Sequence, residues 1–111
     1  MSLALFAGIP VSDHAAAVAW YERLFGRPAS FAATETESVW ELGENSWVYV
    51  VANPEHAGHA MNTVLVDDLD AVVSGIAERG IEPEKRETYD GGMRKVIFRD
   101  PDGNEFGYGG R

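Results

Sequence analysis

The side chains in this sequence with types and spacings suited to chemistry are few. His56 and His59 lie three residues apart, a spacing at which two imidazoles could share a metal ion. They sit in and just after Asn53-Pro54-Glu55-His56-Ala57-Gly58, a linker-like stretch with no third donor nearby, and two donors make a poor site for a divalent ion. His14 stands at the start of a helix and is expected to be exposed. Cysteine is absent, which removes disulfides, thiolate nucleophiles and zinc–sulfur sites together. No Ser/His/Asp arrangement, Gly-rich phosphate loop or nucleotide fingerprint is present, and Gly91-Gly92 reads as a turn before a strand. Nucleophilic catalysis therefore has no candidate, and a functional site has to be sought on the elements themselves.

The bulk properties narrow the partners. Eighteen acidic against nine basic residues give a formal charge of −9, which opposes phosphate backbones and anionic membranes, so neither nucleic acid nor a membrane is expected as a partner. The same charge would draw in a cationic ligand, although acidity also serves solubility alone. At 111 residues with 45% hydrophobic content, the chain suits one ordered domain spanning 1–111. No apolar run approaches the roughly 20 residues needed to cross a bilayer, and Met1-Ser2-Leu3-Ala4-Leu5-Phe6 lacks a basic leader, so a cytoplasmic location is expected.

A displacement of 55 positions lays Val11, Asp13, Ala16 and Val18 on identical residues at Val66, Asp68, Ala71 and Val73. Both stretches read as strand, cap and helix. In the first, Ser12 or Asp13 caps a helix carrying Ala17, Val18, Tyr21, Leu24 and Phe25 at spacings of three and four, and Gly26 ends it. In the second, Asp67 or Asp68 caps a helix with Leu69, Val72, Val73, Ile76 and Ala77, and Gly80 ends it. Strands follow each helix: 30–33, 38–42 and 46–51 in the first half, then 82–88, 94–99 and 104–108 in the second. Gly43-Glu44-Asn45 and Asp100-Pro101-Asp102-Gly103 supply the hairpin turns. The order predicts an α+β fold of two βαβββ modules, 1–53 and 59–111, forming a curved mixed sheet around one cleft with helices on the outer face. That cleft forms either within the chain or by exchange of halves between two chains, and a homodimer is expected.

Ile9-Pro10-Val11-Ser12-Asp13, Ala19-Trp20-Tyr21-Glu22-Arg23-Leu24-Phe25-Gly26 and Phe98-Arg99-Asp100-Pro101-Asp102-Gly103-Asn104 resemble the vicinal oxygen chelate superfamily. That family includes glyoxalase I, extradiol dioxygenases, and fosfomycin- and bleomycin-resistance proteins. The likeness covers nearly the whole chain, but its motifs are caps, a helix end and a turn, and fold does not imply function. In the metal-dependent members, His, Gln or Glu side chains from equivalent strands of the two modules hold a divalent ion. The resemblance puts those positions at Phe6 and Met61, seven residues before each helix-opening Asp, and at Gly107, three after Asn104. Matching the hairpins through Asn45 and Asn104 makes Val48 the fourth. None of these can bind such an ion, so neither a metal nor another cofactor is expected.

An apolar cleft suits an aromatic or hydrophobic body. The expected ligand-binding positions are Phe6, Trp40, Val48, Met61, Thr63, Arg94, Glu105 and Gly107. Trp40 serves as the aromatic platform only if its strand turns it to the cleft rather than to the core. Of Arg94 and Lys95, one must reach the cleft wall. If Val48 faces the cleft, Trp47 and Tyr49 do not. The expected function is metal-free binding of a small molecule, as in bleomycin-resistance proteins, with an aromatic or cationic compound as the ligand. The alternatives are a lyase, isomerase or dioxygenase whose metal ligands have moved, with His59 and Glu105 as conceivable donors, and a regulatory module whose cleft is filled by its own side chains.

Overall fold

The computed structural model describes residues 2–111. Strand β1 (Leu5–Val11) runs into helix α1 (His14–Phe25), then β2 (Phe31–Thr34), β3 (Glu37–Gly43) and β4 (Ser46–Ala52). The pattern repeats as β5 (Met61–Leu65), α2 (Leu69–Glu78), β6 (Lys85–Thr88), β7 (Arg94–Arg99) and β8 (Glu105–Gly110). Two open four-stranded mixed sheets result, ordered β1-β4-β3-β2 and β5-β8-β7-β6. The first and last strands of each unit pair in parallel and the rest antiparallel. This is the α+β arrangement of two βαβββ modules expected from the repeat.

The caps follow from side-chain chemistry. Asp13 accepts a hydrogen bond from the Ala16 amide and Asp68 from the Ala71 amide, each satisfying a donor that the first helical turn leaves orphaned. Gly26 closes α1 at φ 77°, a left-handed conformation that costs glycine little. The strand expected from residue 82 begins only at Lys85, because Pro83 has no N–H to give to a ladder.

One hydrophobic core joins both halves. Val48 and Val50 of β4, Ile9 and Val11 of β1, and Phe106 and Tyr108 of β8 meet Tyr21 and Leu24 of α1 with Leu69 and Ile76 of α2. Tyr21 and Phe25 each stack edge-on against Phe106, so α1 packs across the module boundary. Burial pushes the Tyr21 phenol well above the ordinary tyrosine range, and neighbouring Asp100 adds to the shift. The phenol thus stays protonated and donates to Asp100 at 2.8 Å.

That bond belongs to a buried polar node. Asp100 also accepts from the Asp102 and Asn104 amides and from Asn104 Nδ2. Asn104, fully buried, donates to the Pro10 carbonyl at 2.8 Å and accepts from the Ala60 amide at 2.9 Å. Asp102 accepts from the backbone amide and hydroxyl of Ser12. The turn between β7 and β8 is in this way fastened to the end of β1 and the approach to β5. The late Asp-Pro-Asp-Gly-Asn segment is a clasp between modules as well as a hairpin turn.

Candidate functional site

Each sheet has one face against the helices and one face open. Strand alternation decides which side chains the open face receives. In the first sheet Phe6 lies opposite Trp47, Gly8 opposite Tyr49, and Glu41 opposite Trp47 on the other side. Val48 and Val50, with Trp40 opposite Val48, take the core side. The open face therefore carries Phe6, Trp47, Tyr49 and Val39, with Phe31 opposite Val39 on β2.

These aromatics are organised. Phe6 and Trp47 stack with ring centroids 5.5 Å apart and planes within 8°, and Phe31 meets Trp47 edge-on at 6.2 Å. Phe6 and Phe31 remain about half exposed, at 50% and 48%. The ring of Tyr49 lies over Gly8, where an added Cβ would fall 2.6 Å from it, so glycine there is what lets the phenol lie flat on β1. Glu41 and Glu37 share this face and, among the described residues, neither carboxylate forms an ion pair, although the Arg27 guanidinium donates to the Glu41 backbone carbonyl. The result is an aromatic platform with unpaired carboxylates at its margin.

The second sheet's open face differs. Met61 and Thr63 of β5 lie opposite Glu105 and Gly107 of β8, and Lys95, Ile97 and Arg99 of β7 continue the row. The Glu105 side chain is only 7% exposed and lies 3.4 Å from both Lys95 Nζ and Arg99 Nη2. The Lys95 stem crosses Gly107, whose missing Cβ would sit 2.8 Å from Lys95 Cε. Glu105 is thus neutralised by two cations of its own sheet.

Several expected positions require correction. Val48 faces the core at 3% exposure, not the open face, and the counterpart of Gly107 is Tyr49. Matching Asn45 to Asn104 slipped the alignment by one residue, which turns every side chain to the opposite face. Trp40 is fully buried against Tyr21 and Phe25, its Nε1 donating to the Arg27 carbonyl at 3.0 Å, and offers no platform. Arg94 turns away from the open face and pairs with Asp70 of α2 at 2.8 Å, leaving Lys95 as the cation on the cleft side. His14, expected to be exposed, is half-buried and bonds Ser38 Oγ at 2.9 Å. Phe6, Met61, Thr63, Glu105 and Gly107 do share open faces. Because Val48 faces the core, Trp47 and Tyr49 lie on the open face instead, together with Phe31, and the alternation of Trp47-Val48-Tyr49-Val50 is the local signal for that register.

The metal positions of the resemblance therefore become Phe6, Tyr49, Met61 and Gly107. They supply no imidazole or carboxylate, and Glu105 is held by Lys95 and Arg99. His56 and His59 are exposed in the linker, and among the described residues no three His, Cys, Asp or Glu side chains converge. This donor set does not fit a divalent ion.

A cavity of about 430 Å³ opens where the two sheets approach, between the free edges of β1 and β5. Its walls come from both modules: Leu5, Ala7 and Val48 from one, Val64, Leu65 and Phe106 from the other. Trp47 and Thr63 reach its mouth from the open faces.

The sequence profile of the Glyoxalase/Bleomycin resistance protein/Dioxygenase superfamily matches residues 3–108. A solved glyoxalase / bleomycin resistance protein from Catenulispora acidiphila DSM 44928 is 55% identical, with 99% of each chain covered and a TM-score of 0.96. A bleomycin-binding protein solved in complex with bleomycin is 21% identical over 100% of this chain and 99% of that one, with a TM-score of 0.77. Lactoylglutathione lyase from Agrobacterium tumefaciens is 20% identical over 99% and 94% of the two chains, with a TM-score of 0.75. The last two likenesses are of fold alone. No curated protein matches the chain.

Proposed function

This chain belongs to the Glyoxalase/Bleomycin resistance protein/Dioxygenase superfamily, and on that premise we propose that it binds and sequesters a planar aromatic cation without a metal. The observation that carries the reading is the Phe6–Trp47 stack beside Glu41 on an open sheet face. Aromatic faces attract planar rings and cations alike, and an unpaired carboxylate selects positive charge. The charge of −9 adds a long-range attraction for the same ligand. The poor donor set counts against chemistry that needs a divalent ion.

The test is a titration with proflavine, a planar aromatic cation, followed by tryptophan fluorescence. Saturable quenching is expected, weakened by salt and by Glu41→Gln, since screening and loss of a carboxylate both remove attraction. In parallel, manganese, nickel, zinc and ferrous iron should leave the melting temperature unchanged. An ion that binds only the folded state would raise it. A rise of several degrees with any of them would favour an enzyme with relocated ligands over the binder.

We also propose that a second copy of the chain lies across the open faces, so that the aromatic platform forms one wall of a ligand site between the two copies. The first face is aromatic and acidic, with Glu37 and Glu41. The second is apolar at Met61 and Leu65 and carries Lys95, Arg99 and Lys85 among its charges. Met61 and Leu65 are 74% and 69% exposed, which is costly for a monomer. Light scattering should report twice the chain mass, and Met61→Glu, which puts a carboxylate on the second face, should return it to one. A monomeric wild type at tens of micromolar would refute the pairing.

A further inference from the structure

Laid on each other through the repeat, the two open faces invert their charges. Gly8 opposite Tyr49 in the first module corresponds to Thr63 opposite Gly107 in the second. On the next strand, Val39 opposite Tyr49 corresponds to Ile97 opposite Gly107. Two residues to either side along that strand, Glu37 falls on Lys95 and Glu41 on Arg99. On the outer strand Phe31 falls on Lys85. Both carboxylates of the first face thus have a cation at the equivalent place on the second. A solvated surface asks only for charge at such positions, of either sign. Opposite signs at both are what two surfaces that meet each other require.

The consequence depends on which faces a second copy brings together, so it rests on the pairing of two copies proposed above. Like on like would set Glu37 and Glu41 of one copy against the same carboxylates of the other, and such juxtaposition suppresses pairing. Modules of one fold that meet face to face about a local twofold axis bring equivalent positions near that axis together. With unlike faces, each carboxylate then approaches a cation. The cations are not equally free. Lys85 holds Glu87 at 3.1 Å, and Arg99 holds Glu84 at 2.8 Å. Among the described residues Lys95 has only Glu105, at 3.4 Å, long for a charge-assisted bond and shared with Arg99. We infer that the first face of each copy docks on the second face of the other, and that Glu37 and Lys95 are the charges that select this pairing over like on like. Arg99 is already engaged, so Glu41 remains for the ligand.

Glu37→Lys tests the selection without altering the platform rings. The dimer contains the contact twice, so the variant meets Lys95 of the other copy at both, and pairing should weaken about tenfold or more. Added salt, which loosens the wild type, should tighten this variant. Lys95→Glu should be monomeric by light scattering at a concentration where the wild type pairs. Mixed in equal amounts, the two variants should scatter as dimers, because each contact of the mixed pair joins a carboxylate to a cation. Lys95→Met serves where Lys95→Glu does not fold beside Glu105, and it should restore the pairing of Glu37→Lys in part. A monomeric wild type refutes the pairing and this selection with it. The selection alone is overturned if the wild type is a dimer and Glu37→Lys pairs as well or better, or if the folded variants stay monomeric when mixed.

Discussion

Asn104→Ala should lower the unfolding free energy by about 3 kcal/mol, read as a lower urea midpoint at an unchanged slope. The substitution removes the Nδ2 bonds to the Pro10 carbonyl and Asp100 and the Oδ1 bond from the Ala60 amide, all at a position with no solvent exposure. The small void that alanine leaves in a fully buried node replaces those hydrogen bonds only in part. The cost is therefore set by the groups left unpaired, about 1–3 kcal/mol each and less than additive, rather than by the net worth of three hydrogen bonds. Small domains have about 5–15 kcal/mol of stability in all, so this is a large fraction. Ser12→Ala, which removes an exposed hydroxyl bond to Asp102, should cost less than about 1 kcal/mol. Equal effects of the two substitutions would show that the node adds nothing beyond an ordinary turn.

This node also marks how far the sequence alone could be read. The repeat, the Asp13 and Asp68 caps and the Gly26 stop were legible because each is local: a capping carboxylate and its amide lie three residues apart in the chain. The turn was legible as a turn for the same reason. Its bonds to Pro10 and Ser12 span ninety or more residues and have no local signature. The open faces failed on a single residue. Alternation has period two, so aligning Asn45 with Asn104 reversed all of β4 while leaving its strand assignment intact. Trp40 defied composition alone, since indole is suited to both core and ligand contact; its pairing opposite Val48 turns it to the core, where Nε1 finds the Arg27 carbonyl. Between Arg94 and Lys95, the choice rested on the pairing of β7 with β8.

The two tryptophans of the first hairpin give the sharpest separation of folding from function, because they lie in adjacent strands on opposite faces. Trp40→Ala should cost about 3–5 kcal/mol, for it empties a volume enclosed by Tyr21 and Phe25 and leaves the Arg27 carbonyl without its donor. Trp47→Ala removes a half-buried ring from the open face, where solvent or a second copy can occupy the space, and should cost about 1 kcal/mol. For proflavine the order inverts. Trp47 stacks on Phe6 and meets Phe31, so without it the platform loses its central ring, and affinity should fall about thirtyfold, the scale of an aromatic hot spot. Trp40→Phe, which keeps most of the core volume, should bind proflavine as the wild type does. Isothermal titration on both folded variants decides the matter: unchanged affinity in Trp47→Ala would remove the platform from the functional site, whatever else the chain binds.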